Sequence, residues 1–117
     1  MPKTETLKLN KDFKRLYGRG KSFVHPVLVT YIMRNRTGRC RIGITTGKKV
    51  GNAVQRNRAR RIILAAWREL APRVSGGFDL VFVARAKTPF VKSTDISRVL
   101  CKQLSESGAI QNEMVAD

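Results

Sequence analysis

The chain is poor in the residues on which many protein chemistries depend. It holds one histidine, His25, and two cysteines, Cys40 and Cys101, with no CxxC pair, so a Cys/His zinc site of the usual spacing cannot be assembled from it. Both cysteines are expected as reduced core residues, because free cysteine is among the most often buried side chains. Acids are also scarce, 8 Asp and Glu against 24 Lys and Arg, and five of the eight lie beyond Phe78. Neither a carboxylate cluster for metal ions nor a pair of histidines for acid and base chemistry is visible, which argues against a nuclease centre in the polypeptide. No stretch approaches the ~20 consecutive apolar residues of a membrane span, and Met1 to Asn10 lacks the apolar run of a secretory signal. The expectation is a cytoplasmic protein with no membrane partner. At 117 residues and 42% hydrophobic content, the chain suits one domain with a core of its own.

What is abundant is positive charge. The formal net charge is +16, well beyond what solubility needs and costly through self-repulsion unless a polyanion neutralises it. Its placement is uneven. Fifteen Lys or Arg and no Asp or Glu fall between Phe13 and Arg68, while Glu5 and Asp12 precede that window and the other six acids follow it. A solvated surface normally mixes both signs; an all-cationic half points to nucleic acid.

Periodicity places these charges. Asn10 is expected to cap a short helix with Phe13, Leu16 and Tyr17 at i, i+3 and i+4, ended by Gly18 and Gly20. The run Val27 to Met33 reads as a strand and Asn35 to Gly38 as a turn. In Arg39 to Thr45, Cys40, Ile42 and Ile44 alternate with Arg39 and Arg41, a second strand that a hairpin would join to the first. Asn52 and Gln55 make a relaxed capping box opening the main helix. Ala59, Ile62, Ile63, Ala66, Trp67 and Leu70 share one arc of it, with Asn57, Arg58, Arg61 and Arg68 opposite. Pro72 and the Ser75-Gly76-Gly77 stretch stop that helix. The near-continuous apolar run Phe78 to Ala84 predicts an interior strand covered on both faces. Ser93 or Thr94 is expected to cap a last helix with Ile96, Val99, Leu100 and Leu104 inward, ended by Gly108. The result is a single α+β domain, a small mixed sheet packed with helices in the order α-β-β-(β)-α-β-α, the bracketed strand being optional. Residues 1–8 read as an N-terminal extension, 9–108 as the domain and 109–117 as a flexible tail.

One segment is specific. KKVGNAVQRNRARR, Lys48 to Arg61, closely resembles the basic helix signature of the bacterial ribonuclease P protein subunit: KK, an apolar residue, GNAV, any residue, RNR. The resemblance extends through DFKRLYGRGKS, the strand containing Tyr31, RIG, AWRE and GFDLVFVAR, from about Leu9 to Leu104. It implies a left-handed crossover carrying the RNR helix, which periodicity does not supply. It also implies a protein that binds a catalytic RNA and helps it process precursor tRNA. Hydrolysis at the mature 5′ end would be done by the RNA and its Mg²⁺ ions, with no organic cofactor and no protein partner required. By the same resemblance, ribonuclease P RNA would be bound by Lys48, Lys49, Asn52, Arg56, Asn57, Arg58, Arg60, Arg61 and Arg68. The single-stranded 5′ leader would lie on Phe13, Tyr17 and Tyr31. Arginine suits phosphate because its planar fork binds in a bidentate way, and aromatic rings stack on unpaired bases whatever their sequence.

Two positions depart from the family pattern: Leu64, commonly basic and lying here in the stripe of Asn57, Arg61 and Arg68, and Gly47, often Ser. The first implies a lost phosphate contact and a locally more apolar interface. Each singled-out residue also has a plainer reading: Phe13, Tyr17 and Tyr31 as core aromatics, Asn57 as a solvated helix residue, His25 as structural and Trp67 as core. An architectural, ribosomal-type RNA-binding protein, or a basic nucleoid protein binding DNA, would share the charge without needing a leader cleft.

Overall fold

The computed structural model describes residues 4–110. Five strands form one mixed sheet in the order β1-β4-β5-β3-β2, comprising β1 (Thr4–Thr6), β2 (Lys21–His25), β3 (Leu28–Arg34), β4 (Cys40–Thr45) and β5 (Phe78–Ala84). The helices are α1 (Asn10–Arg19), α2 (Ala53–Leu70) and α3 (Ser93–Ser107). The α+β class and the interior position of β5 follow the sequence pattern. Only Val83 of β5 escapes full burial.

Strand pairing differs from expectation. β3 and β4 are not a hairpin: β5 lies between them, antiparallel to β3 and parallel to β4. The segment Asn35 to Arg39 therefore steps over an intervening strand, a span of about 10 Å at the usual strand spacing. It does so by closing on the start of β5. Asn35 N–H donates to the Gly77 carbonyl (3.1 Å), and a Cβ at Gly77 would collide with the Asn35 side chain and with Gly38 N at 2.8 Å. Alternation of side chains reports the faces of a strand but not its neighbours, which is why the pairing was not readable. The true hairpin is β2 with β3, from Lys21↔Ile32 to His25↔Leu28. His25 is structural there, its Nδ1 accepting from Val27 N–H (3.2 Å).

The parallel pair β4 and β5 requires a crossover, and α2 provides it. Thr4 to Leu7, expected to precede the domain, belong to it. β1 runs parallel to β4, Leu7 N–H donates to the Ile42 carbonyl (2.7 Å), and Leu7 is buried. Ala109 and Ile110, expected in a flexible tail, are buried as well; the rest of that tail, 111–117, and residues 1–3 lie outside the described residues. Two helix caps also shift. Leu9 holds the cap position of α1 with no side-chain cap, Asn10 being the first helical residue. At α3 Lys92 takes the cap position in place of Ser93 or Thr94, and its N–H donates to the Asp95 carboxylate (3.0 Å).

Because side chains alternate along each strand, the sheet has two cores. One face carries Leu28, Ile32, Cys40, Ile42, Leu80 and Phe82 against Ala59, Ile63, Ala66, Trp67 and Leu70 of α2 and Ile96, Leu100 and Leu104 of α3. Trp67 is core, its ring centroid 5.7 Å from that of Phe82. Cys40 is buried, and burial pushes its thiol pKa up; Cys101 is only half-buried, at the edge of the same core. The other face is covered by α1 alone and has a small core of Leu7, Leu16 and Val81.

Candidate nucleic-acid interface

The predicted basic residues are gathered at the start of α2 and along its outer side. Lys48 and Lys49 sit exposed on a 3-10 turn, Lys48–Val50, that leads into the helix. The capping box closes in full: Gln55 N–H donates to Asn52 Oδ1 and Asn52 N–H to Gln55 Oε1, both at 2.9 Å. Asn52 Oδ1 is thus engaged in starting the helix. Beyond it Asn57, Arg58, Arg60, Arg61 and Arg68 are exposed and Arg56 is half-buried. Two arginines are tethered. Arg58 Nε donates to the Pro89 carbonyl at 2.6 Å, and Arg60 donates to the Ile44 carbonyl and Thr46 Oγ1 at 3.1 and 3.2 Å. These neutral partners orient the guanidinium groups without cancelling charge. Among the described residues, none of the lysines and arginines at these positions forms an ion pair with a carboxylate.

Leu64 differs from its expected place. It is half-buried, packs on the main core and lines a mostly apolar hollow with Trp67, Thr4, Thr6 and Arg68, so it lies on the flank of α2 toward β1 and meets the basic stripe only at Arg68. Sequence reasoning also missed a second cationic hollow of about 490 Å³, where Lys49 is joined by Arg85, Lys87 and His25. The signal was the pair Arg85 and Lys87 directly after an interior strand, which only the proximity of Lys49 makes significant.

The three aromatic positions lie on the opposite face of the sheet. Phe13 sets the edge of its ring against Gly43, where an added Cβ would stand 2.5 Å from the ring, so glycine is needed for α1 to approach β4. Tyr17 of α1 and Tyr31 of β3 meet edge to face, 4.9 Å between centroids at 83°. Phe13 and Tyr31 are half-buried against the small core, while Tyr17 is 44% exposed. Each ring has one side in packing, and Tyr17 above all offers the other to solvent.

An ionic network holds α1 over the sheet. Asp79, fully buried in β5, accepts from Arg41 Nε and Nη2 (2.8 and 2.6 Å), from Asn35 Nδ2 (2.7 Å) and from Arg15 of α1 (3.2 Å). Arg15 also reaches Asp12 at 3.2 Å. Burial works to raise the Asp79 pKa, but the hydrogen bonds from Arg41 and Asn35 and the charges of Arg41 and Arg15 outweigh it and hold the carboxyl below the usual carboxylate range. Pairing of Arg39 with Glu5 at 2.8 Å adds an exposed bridge between β1 and the β3–β4 connection.

A chain with a basic helix opened by a full capping box on one face of the sheet, and aromatic residues of a short helix and a strand on the other, is matched over residues 1–107 by the family model for ribonuclease P. The chain belongs to the ribonuclease P protein family. A relative from Clostridioides difficile strain 630, named ribonuclease P protein component, is 40% identical over 97 residues, which is 82% of this chain and 85% of the relative. Among solved structures, the Staphylococcus aureus RNase P protein superposes with a TM-score of 0.80 at 28% identity, covering 93% of this chain and all of that one. A mutant of the Staphylococcus aureus protein described as having defective mRNA degradation activity aligns with a TM-score of 0.74 at 27% identity, over 90% of this chain and 89% of that one. Family membership associates the chain with the tRNA-processing endonuclease and with an RNA partner. No helix among the described residues is long and apolar enough to cross a membrane.

Proposed function

We propose that the chain binds ribonuclease P RNA through the outer side of α2 and the single-stranded 5′ leader of precursor tRNA through the aromatic face beside α1. The observation that carries this reading is the separation of two unlike surfaces on one sheet. Uncompensated cations lie on the helix covering one face, and half-exposed rings lie on the other. A purely architectural RNA-binding protein has use for the first surface and none for the second. Lys48, Lys49, Arg56, Arg58, Arg60, Arg61 and Arg68 serve as phosphate contacts, and Asn57 reaches a phosphate or a ribose hydroxyl. Phe13, Tyr17 and Tyr31 stack on leader bases, a mode that tolerates any sequence and so suits many precursors.

Hydrolysis in this reading belongs to the RNA and its Mg²⁺ ions. Among the described residues no three His, Cys, Asp or Glu are grouped so as to hold a metal ion, and Asp12 and Asp79 already face arginines. A polypeptide of +16 between two RNA strands lowers their repulsion and so reduces the cation concentration the RNA requires. The Staphylococcus aureus mutant named for defective mRNA degradation raises a second reading, cleavage by the polypeptide itself.

One experiment separates the two. Protein freed of RNA should leave precursor tRNA intact at every Mg²⁺ concentration. Adding the matching RNA subunit should restore 5′ cleavage, with the protein's benefit largest at low Mg²⁺. Cleavage by the RNA-free protein that is lost on Asp12→Asn or Asp79→Asn, with the fold preserved, would establish the second reading instead.

A further inference from the structure

The 3-10 turn Thr88–Phe90, between β5 and α3, leaves Phe90 71% exposed. The exposure is not that of a loose loop. Thr88 and Pro89 are buried, and Thr88 Oγ1 accepts from Arg85 N–H and donates to the Val27 carbonyl, both at 2.7 Å. Phe90 N–H donates to the Lys87 carbonyl at 3.0 Å, and Arg58 Nε from α2 grips the Pro89 carbonyl at 2.6 Å. The turn is therefore fixed on three sides and presents the ring outward beside an arginine of the basic helix. One helical turn before Arg58, Val54 is also 73% exposed, so apolar surface flanks this guanidinium in an otherwise cationic setting.

A side chain of this size left in water forgoes the stabilisation that burial would bring, and nothing in the local packing requires it there. Charge around it selects the kind of partner. Arg58, Lys87 and Lys92 border the turn, and they attract a polyanion while repelling a basic or cationic protein surface.

We infer that Phe90 is a base-stacking residue, taking an unpaired base of the RNA whose phosphates the α2 arginines bind. The inference rests on the RNA-binding reading of α2. Arg58 has two tasks in it: a phosphate contact through its Nη atoms, and orientation of the stacking turn through Nε. Stacking needs only a π face, so the site discriminates paired from unpaired bases and not one base from another.

The test uses full-length protein and a transcript of the matching RNA subunit. Phe90→Ala should weaken affinity roughly 5- to 150-fold, the range that one lost base stack implies. The melting temperature and the slope of log affinity against log salt should stay unchanged, since no phosphate contact is lost. Phe90→Tyr should bind like the parent, and Phe90→Leu like the alanine variant. In Phe90→Trp the added indole should be quenched by RNA, against a background from Trp67, which is buried in the core. Affinity unaltered in Phe90→Ala, or restored in full by Phe90→Leu, would overturn the inference. Should combined replacement of Arg60, Arg61 and Arg68 by alanine leave affinity for the transcript and its salt dependence unchanged, the RNA-binding reading of α2 would fail instead.

Discussion

The two sides of the sheet carry surfaces of opposite construction. The α2 side is made almost entirely within one continuous segment: a 3-10 turn, a capping box and a helix whose inner arc is apolar and whose outer arc is charged. The α1 side is assembled from five separate segments: Leu7, α1, β3, β4 and β5. Charge acts at range and tolerates imprecise placement, so a local stripe suffices. Stacking demands contact geometry, so the aromatic face depends on how firmly α1 is held. A network of buried charge does that holding, and the comparison is best probed by breaking each side separately.

The largest effect is expected at Asp79. Asp79→Ala removes a buried carboxylate from the partly exposed Arg41 and Arg15 and should destabilise the fold by about 3 kcal/mol, the upper end for losing hydrogen bonds to a charged group. Denaturant unfolding measures this. If the network positions α1, the variant's folded fraction should lose leader affinity while keeping its salt-dependent binding of the RNA subunit; equal losses would show that the two surfaces are not separable.

Acid should reproduce part of that loss. A carboxyl whose pKa is held low in the fold contributes stability that is fully present above its unfolded pKa and disappears as pH falls through the folded one. Stability should therefore decline as pH drops through and below the usual carboxylate range. Melting curves of Asp79→Asn should lack much of this decline, and an identical acid profile in the variant would assign it to other groups.

Next come the rings. Tyr31→Ala or Phe13→Ala in the holoenzyme should weaken binding of precursor with a long leader by roughly 1 to 3 kcal/mol per lost stack, leaving mature tRNA affinity nearly unchanged. Tyr17→Ala, whose ring is the most exposed of the three, should do so with the least effect on melting temperature. Losses shared by both ligands would return these residues to a purely structural role.

The smallest and most local effects belong to α2. Arg61→Ala should reduce the slope of log affinity against log salt by about one unit, with little change in stability. Arg58→Lys keeps the charge but not the Nε bond to the Pro89 carbonyl, so it should preserve the slope and still lose affinity. A slope unaltered by Arg61→Ala would remove that residue from the phosphate contacts.

Legibility in the sequence follows the same division. The core arc of α2, its capping box, the interior strand Phe78–Ala84 and the basic stripe were all readable, because each is a pattern of period 3.6 or 2 within a short window. Leu64 shows where that fails: a helical wheel places it beside Arg61 and Arg68, yet the nearby β1 draws it inward. β1 was missed, and the third strand between α1 and α2 was allowed for only as an optional one without a range, because three and five residues of mixed polarity carry no pattern until a partner strand is present. Phe90 was passed over for a related reason, since a lone phenylalanine between a strand and a helix carries no periodic signal and its exposure depends on how its neighbours are buried.

What the sequence determined by itself is the character of each element: which residues turn inward, where α2 begins, and that its outer side is cationic with no acid to match. These depend on neighbours within a turn or two of the chain. Only the tertiary structure decided the order of the strands, the seat of Phe13 on Gly43, the meeting of Tyr17 with Tyr31 and the arginine shell of Asp79. Arg15 and Asp79 are 64 positions apart and Arg41 and Asp79 are 38 apart. No local period encodes such separations. They are selected by which packing buries the most apolar surface while leaving no buried charge unpaired.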